Sequence, residues 1–240
     1  MQLLISVVNE EEAKSVVGGG ADIVDVKNPL EGALGANFPR VIRRVRQCTP
    51  PGIPVSVAIG DAPDKPGATA LAALGAAVCG VQYVKVGLYG TKAPRQAVFL
   101  LKEVCRAVRE HDVGIKIIAA AYADAHKIGA LPALASPAVA DEAGADGCML
   151  DTAVKGEGSL FSHLDDDELR DFVQSCHKAG LICALAGSLG EADIPRVSEI
   201  GPDIIGFRTA ACIGGRIQTF IELPLVERLK NLIALNSSPW

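Results

Sequence analysis

Several features of common protein classes are missing from this 240-residue sequence. Aromatic residues make up only 4% of it, its formal net charge is −5, and it contains no run of basic residues. A nucleic-acid-binding surface is therefore not expected. No apolar stretch reaches the roughly 20 residues of a membrane-spanning helix, and residues 1–7 have neither a cationic segment nor a signal-cleavage site. These absences predict a soluble, cytoplasmic protein with no membrane or nucleic-acid partner.

Patterns that bind metals or form disulfides are missing as well. The seven cysteines are odd in number and include no Cys-x-x-Cys pair, and the four histidines show no metal-ligand spacing. Several cysteines fall inside predicted strands or helices, which is typical of reduced, small apolar side chains. We therefore expect neither a zinc site nor a disulfide framework.

Hydrophobic residues are abundant and make up 49% of the chain. Eight apolar, strand-like runs alternate with helix-like segments. The predicted strands are 3–7, 22–27, 55–60, 83–88, 115–121, 147–152, 182–188 and 204–209, and the predicted helices are 10–17, 39–47, 68–78, 94–110, 138–143, 166–179, 192–200 and 223–235. Eight such units in 240 residues predict an α/β protein with one domain, residues 1–240, folded as a single (β/α)8 TIM barrel. A doubly wound sheet would need fewer units and usually a Gly-x-Gly-x-x-Gly turn after the first strand, which is absent.

The second predicted strand carries an acid and an amine, Asp25 and Lys27. Successive side chains of a strand alternate between its faces, so these two share one face while the valine between them points to the other. A charged lysine at the end of an apolar strand is costly to bury. Such a lysine is either held in a structural ion pair or kept neutral enough to attack a carbonyl and form a Schiff base. The strand alone leaves both interpretations open.

Polar residues also end the other even-numbered strands. Lys85 lies in strand four, and Arg208 ends strand eight. Asp151 ends strand six and is followed by Lys155 in a glycine-containing loop. In a TIM barrel these strand ends form the active site. The convergence of lysines and acids there favours catalysis over isolated structural ion pairs.

The predicted roles of these groups follow from their charges. A second ammonium nearby disfavours protonation of the first, so Lys85 beside Lys27 favours a neutral amine at neutral pH. Asp25, Asp151 or both would otherwise hold the amines in their charged form. Either acid can also move protons in imine and enamine steps. Spacing alone does not assign the nucleophile to one lysine.

The loops after strands seven and eight are rich in small residues, as phosphate-binding loops of barrels are. They span residues 186–190 and 208–215. Small residues let backbone N–H groups approach an oxyanion, and the N-terminus of a short helix adds a favourable dipole. The predicted phosphate-binding residues are Gly187, Ser188, Arg208, Thr209 and Ala210. We therefore expect a phosphorylated small-molecule substrate.

Two further acids follow strand ends. Asp61 ends strand three, where it either reaches substrate or forms a turn, and Asp124 follows strand five. Both are candidates for contact with the substrate.

Five motifs resemble one known family. They are Asp-Ile-Val-Asp-Val-Lys-Asn-Pro (22–29), Gly-Ala-Leu-Gly-Ala-Asn-Phe-Pro (32–39), Tyr-Val-Lys-Val-Gly-Leu-Tyr-Gly-Thr-Lys (83–92), Met-Leu-Asp-Thr-Ala-Val-Lys (149–155) and Cys-Ala-Leu-Ala-Gly-Ser (183–188). They are similar to motifs of the (5-formylfuran-3-yl)methyl phosphate synthases, also called 4-(hydroxymethyl)-2-furancarboxaldehyde-phosphate synthases. The resemblance extends from Leu3 to about Cys212.

The resemblance implies a TIM-barrel lyase of methanofuran or methylofuran biosynthesis. Such an enzyme joins two glyceraldehyde 3-phosphate molecules into a furan aldehyde phosphate and releases phosphate and water. The implied roles are Schiff-base lysine for Lys27 and proton acceptor for Lys85, supported by Asp25, Asp151 and Lys155. No metal or organic cofactor is implied. The sequence departs from the family pattern at Thr209, where we expect glycine.

Two other hypotheses remain open at this stage. One is a class I aldolase that uses the same lysine chemistry on another phosphorylated sugar. The other is a catalytically silent barrel that serves as a binding subunit. Apolar helix faces are compatible with self-association, so we expect a homo-oligomer.

Overall fold

Eight parallel strands close into one barrel in the computed structural model, which describes residues 1–214 and 220–236. The strands pair in sequence order, and β8 pairs back with β1. They are β1 (Gln2–Val7), β2 (Ile23–Val26), β3 (Val55–Asp61), β4 (Tyr83–Gly87), β5 (Lys116–Tyr122), β6 (Gly147–Asp151), β7 (Ile182–Leu185) and β8 (Ile204–Phe207). The predicted (β/α)8 TIM barrel is confirmed.

Helices connect the strands on the outside of the barrel. They are α1 (Glu10–Gly18), α2 (Pro39–Cys48), α3 (Pro66–Ala77), α4 (Pro94–His111), α5 (Ala125–Ile128), α6 (Ser136–Ala143), α7 (Asp166–Lys178), α8 (Ile194–Ile200) and α9 (Leu223–Asn236). All eight predicted helices are present, with ends displaced by at most a few residues. The single-turn helix α5 was not predicted.

Strand alternation separates the buried side chains into two layers. Val24 and Val26 point outward from β2 and pack with the helices in the larger apolar core. Leu4, Ile118 and Met149 point inward and belong to a second apolar cluster that fills the barrel. Parallel strands are covered on both faces, which explains their nearly continuous apolar sequences. The inward face of β2 therefore places Asp25 inside the barrel and Lys27 at its mouth.

The last two strands end earlier than predicted. The sequence extends them to residues 188 and 209, whereas β7 ends at Leu185 and β8 at Phe207. Gly187 and Ser188 have φ values of +103° and +54°, which lie outside the β region of the backbone map. The chain therefore leaves β7 at this point and curves over the barrel mouth.

Neither a metal cluster nor a membrane span was found in the described ranges. None of their helices has the length and apolar character that a bilayer span requires. No group of three or more His, Cys, Asp or Glu side chains in residues 1–214 and 220–236 is placed to hold a metal ion. That residues 1–240 form one domain stays a prediction, because residues 215–219 and 237–240 lie outside the described part.

Candidate active site

A cavity of about 450 Å³ opens among the C-terminal ends of the strands. One side carries the charged groups Lys27, Asp151 and Lys155. Residues that follow β7 and β8 form the other side, among them Ser188 and Thr209. The cavity is thus lined both by three of the predicted catalytic residues and by the predicted phosphate-binding loops.

Lys27 and Asp151 lie close together in the lining of this cavity. The Lys27 Nζ lies 3.9 Å from Asp151 Oδ2, and both side chains are buried. The other carboxylate oxygen of Asp151 is 2.6 Å from Lys155 Nζ, which also contacts the Thr152 hydroxyl at 3.0 Å. Asp151 is therefore paired closely with Lys155 and only loosely with Lys27.

The environment of Lys27 favours a neutral amine. Burial, together with smaller contributions from the charges of Lys155 and Lys85, lowers the pKa of Lys27 to about 8 against the opposing effects of Asp151 and Asp25. Burial disfavours the anion of Asp151, but Lys155 and Lys27 outweigh this and hold its pKa at about 2. At neutral pH a usable fraction of Lys27 is thus uncharged beside an ionised carboxylate. From the sequence we expected Lys85 to lower the pKa of Lys27, whereas Lys155 contributes more.

Lys85 lies deeper in the barrel, in an ion pair with Asp25. Its Nζ is 2.7 Å from Asp25 Oδ2, and neither side chain is more than 2% exposed. The Ser6 hydroxyl donates to the same oxygen at 2.8 Å. Lys85 also lines a second cavity of about 300 Å³, together with Ser56 and Tyr83 near the strand starts. Asp25 therefore pairs with the lysine of β4, and not with the lysine of its own strand.

The loops after β7 and β8 form a small-residue cradle around the same opening. The left-handed backbone of Gly187 and Ser188 is of the kind that turns consecutive N–H groups into one concavity. Thr209 begins a three-residue 3-10 turn, Thr209–Ala211, which is too short to supply a helix dipole. A shallower opening of about 1080 Å³, lined by Lys155, Ser188, Thr209 and Ala210, continues outward. The predicted phosphate residues of these two loops therefore lie together at one opening, and their contact with phosphate stays a prediction.

Arg208 is held by a partner that the sequence analysis missed. Its guanidinium donates to both carboxylate oxygens of Glu12, at 2.9 and 3.2 Å, and to the Ser6 carbonyl at 2.9 Å. Glu12 also accepts from the Val8 N–H at 2.8 Å. This buried pair ties β8 to β1 and α1. In sequence, Glu12 is one of three consecutive glutamates in the first turn of α1, so nothing distinguishes it from a solvated acid. Phosphate binding by Arg208 stays a prediction.

The two candidate contact acids hold loops in the structure. Asp124 is fully buried and accepts from the N–H groups of Ala153 and Val154, at 2.7 and 2.8 Å. It thereby fixes the start of the loop that carries Lys155. Asp61 accepts from two N–H groups of the loop after β2. For neither acid do these contacts support the predicted contact with substrate.

Replacement of Gly187 by alanine tests the cradle. A Cβ at Gly187 would lie 3.1 Å from Thr152 Cγ2 and 3.2 Å from its backbone nitrogen, and the φ of +103° is strained for alanine. We expect KM for a phosphorylated substrate and the inhibition constant of inorganic phosphate to rise by about tenfold, as strain of this size would produce.

Gly180→Ala is the matched control for this variant. Gly180 also has a positive φ, +70°, but nothing lies within 4 Å of its Cβ position, and it follows α7 away from the cavity. It should lower the melting temperature without changing either constant. Equal effects of the two substitutions on phosphate inhibition would contradict a phosphate site at Gly187.

Solved structures with the same barrel match nearly the whole chain. The 3-hexulose-6-phosphate synthase of Salmonella typhimurium superposes with a TM-score of 0.69 at 16% identity, covering 98% of this chain and 100% of that one. A structure named KGPDC from Streptococcus mutans gives a TM-score of 0.68 at 11% identity, with 99% coverage of both chains. At these identities the matches confirm the fold alone.

Sequence comparison identifies much nearer relatives. A family model described as 4-HFC-P synthase matches residues 3–230. A Methanocaldococcus jannaschii protein named (5-formylfuran-3-yl)methyl phosphate synthase is 51% identical, with coverage of 97% of this chain and 99% of the relative. A protein of the same name from Methanococcus maripaludis is 53% identical, with coverage of 95% and 98%. The resemblance seen in the motifs is thus confirmed over nearly the full length, and the chain belongs to the 4-HFC-P synthase family.

Proposed function

We propose that this enzyme condenses two glyceraldehyde 3-phosphate molecules into (5-formylfuran-3-yl)methyl phosphate through a Schiff base on Lys27. One inorganic phosphate and two water molecules are released, which balances the atoms of substrate and product. The observation that carries the proposal is a buried lysine with a pKa of about 8 in a cavity that also holds an acid, a second lysine and a small-residue cradle. The names of relatives about half identical in sequence supply the product, and the resemblance of the motifs implies the substrate.

The first chemical step is attack by the neutral Lys27 amine on a carbonyl. One triose phosphate isomerises to the ketone, whereas the aldehyde carbon of the other forms a bond to Nζ while its oxygen leaves as water. Asp151 lies 3.9 Å from Nζ, so it can accept and return the protons of this addition and dehydration. The imine then withdraws electrons from its neighbouring carbon and acidifies the C–H bond there.

The second step joins the carbon skeletons. Loss of that proton gives an enamine, which expels the phosphate from the adjacent carbon. That terminal carbon then attacks the ketone of the other triose phosphate, which gives the branched carbon skeleton of the product. The resemblance assigns proton acceptance to Lys85, and its pairing with Asp25 and Ser6 provides an acid–base network inside the barrel. Lys85 must transfer its ammonium proton to Asp25 or another acceptor before it can accept one from substrate.

Ring closure completes the reaction. A hydroxyl oxygen of the former ketone closes the five-membered ring on the carbonyl carbon next to the imine, and loss of two water molecules makes the ring aromatic. Release of Lys27 consumes one water and regenerates the amine. The cradle at Gly187, Ser188, Thr209 and Ala210 would hold a phosphate group during these steps, with Lys155 as a cation of the same lining. No metal or organic cofactor takes part in these reaction steps. The product of the reaction belongs to methanofuran or methylofuran biosynthesis.

The charges around Lys27 make opposite pH shifts testable. Only the neutral amine attacks, so trapping of its imine with cyanoborohydride and a simple aldehyde should rise with pH, with a midpoint at about pH 8. Lys155 lowers the pKa of Lys27, so Lys155→Met should move the midpoint to higher pH. Asp151 raises that pKa, so Asp151→Asn should move the midpoint to lower pH.

An exposed lysine of α5 provides the control. Lys127 pairs with Glu157 at 2.8 Å outside the cavity, and Lys127→Met should leave the midpoint unchanged. Profiles measured from about pH 6 to about pH 10 cover both directions. Shifts of the same sign in both cavity variants would contradict the electrostatic account.

Product formation is the test of the proposed function itself. Purified protein is incubated with glyceraldehyde 3-phosphate alone, and phosphate release and furan aldehyde are followed by mass spectrometry. Furan product together with one phosphate per product supports the proposal. A trapped triose adduct without furan would indicate an aldolase, and neither adduct nor product would indicate a silent barrel.

A further inference from the structure

The loop between β2 and α2 is folded into the barrel mouth. Residues 28–37 follow Lys27 directly, and the Asn28 N–H donates to the Gly35 carbonyl at 2.8 Å, which closes the loop on itself. Asn37 fastens its far end to the Val8 carbonyl at 3.0 Å. Ala33 and Leu34 are buried and belong to the apolar cluster inside the barrel. A surface loop would not carry a fully buried leucine, so this segment forms one wall of the barrel mouth.

Two side chains from other strands hold this wall in place. Asp61, at the end of β3, accepts from the N–H of Ala33 at 3.0 Å and from the N–H of Leu34 at 3.2 Å. The hydroxyl of Tyr122, at the end of β5, donates to the same carboxylate. A Cβ at Gly32 would overlap Asp61 Oδ2, so the loop backbone approaches the carboxylate as closely as glycine permits. Three donors therefore converge on Asp61.

The loop 28–37 lies directly over Lys85. Gly87 is two residues beyond Lys85 on β4, so it occupies the next inward position toward the mouth. A Cβ at Gly87 would overlap the Tyr122 hydroxyl and would lie 3.2 Å from Leu34 Cδ1. Leu34 and Tyr122 thus fill the space above Lys85, which is only 2% exposed. The open cavity is lined instead by Lys27, by residues of β1, β6 and β8, and by the segments that follow β6, β7 and β8.

We propose that Asp61 and Tyr122 form a latch that holds the loop 28–37 in the barrel mouth, where the loop excludes water from the Lys85–Asp25 pair. They are positioning residues, not contacts to the substrate, and they act through Ala33 and Leu34. The latch keeps water away from the Lys85–Asp25 pair and holds the backbone that leads out of Lys27. This inference rests on the proposed lysine chemistry only for its effect on rate, because the latch itself is a structural claim.

The substitution Asp61→Asn tests the latch most directly. Asparagine keeps one acceptor oxygen but places an NH2 group where the other oxygen accepts, so at least one N–H loses its partner. Hydrogen–deuterium exchange at Ala33 and Leu34 should become about tenfold faster, as loss of one buried hydrogen bond allows. The kcat for furan formation should fall by about 10- to 100-fold while KM changes little.

A shift of the pH profile separates positioning from a merely structural role. Lys27 faces Asp25, Lys85, Asp151 and Lys155, and all four remain in the variant. Entry of water would weaken the effect of burial on Lys27, so the midpoint of imine trapping should move from about pH 8 toward that of an exposed lysine. Tyr122→Phe removes one donor only and should move all three readouts in the same direction by smaller amounts. It also serves if Asp61→Asn does not fold.

Asp64→Asn is the matched control. Asp64 lies three residues further along the same segment, is exposed and accepts from Gln96 at 2.8 Å. It should leave exchange, kcat and the pH midpoint unchanged. Unchanged exchange at Ala33 and Leu34 in Asp61→Asn would overturn the latch, and a raised KM with unchanged exchange would instead make Asp61 a substrate contact. Exchange is measured without substrate, so failure of the latch is distinguishable from failure of the proposed function.

Discussion

Lys27→Ala is expected to abolish furan formation, with a loss of at least about 10⁴-fold in kcat, as removal of a covalent nucleophile does elsewhere. Alanine has no amine, so neither the imine nor the enamine can form. Folding should survive the change, because Asp151 keeps its 2.6 Å ion pair with Lys155. The melting temperature should therefore remain close to that of the wild type, or rise slightly as a buried amine is removed.

An exposed lysine supplies the control for this loss. Lys178 ends α7 and is exposed, and Lys178→Ala should retain full activity. Product assays and thermal melts of the two variants, run together, separate chemistry from stability. Furan formation by Lys27→Ala at more than about 1% of the wild-type rate would show that another group carries the imine.

Lys85→Met is expected to cause the largest loss of stability. It leaves the carboxylate of Asp25, which has no exposed surface, without its cation. An unpaired charge of this kind costs about 3–5 kcal/mol. For a chain of this length that corresponds to a fall in melting temperature of roughly 6–20 °C. Activity should be lost as well, because proton acceptance is assigned to Lys85.

The double variant Lys85→Met/Asp25→Asn separates these two effects. It leaves no buried charge at this position, and the Ser6 hydroxyl can still donate to the asparagine oxygen. Most of the lost melting temperature should return, whereas activity should not. A double variant as unstable as Lys85→Met would contradict the ion pair as the source of the instability, and recovery of activity would contradict the catalytic role of Lys85.

Strand periodicity predicted which side chains face the inside of the barrel. A period of two, applied to β2, β4 and β6, is enough to place Lys27, Lys85 and Asp151 there, because parallel strands put their C-terminal ends at one face. The same argument predicted that the loops after β7 and β8 meet at the opening. The inward orientation of a side chain depends only on its own strand, and the meeting of these loops depends only on the order of strands around the barrel. Both can therefore be predicted from a single sequence.

The pairing of the charges could not be predicted in this way. Asp25 pairs with Lys85, two strands along, while Lys27 reaches across the barrel toward Asp151 on β6. Depth along the strand decides this choice, since Asp25 lies one inward position below Lys27. Such distances depend on strand register and tilt, which the pattern of apolar residues does not specify.

Contacts between loops that are distant in sequence could not be predicted either. Glu12 binds Arg208 across 196 positions of sequence, and Asp61 latches a loop 27 and 28 positions away. Both acids look like ordinary surface residues in sequence, next to helix starts and turn signals. Their burial follows from how loops pack on the mouth, which only the folded chain reveals.

The central claim is that Lys27, whose pKa is lowered to about 8, is the nucleophile of the site, and that no other lysine is. The most direct test is borohydride reduction of the wild-type protein during turnover of glyceraldehyde 3-phosphate, followed by peptide mapping. We predict a single reduced adduct on the peptide that carries Lys27, with yield rising through about pH 8. An adduct on Lys85 or Lys155, or none under conditions that give furan product, would contradict the account.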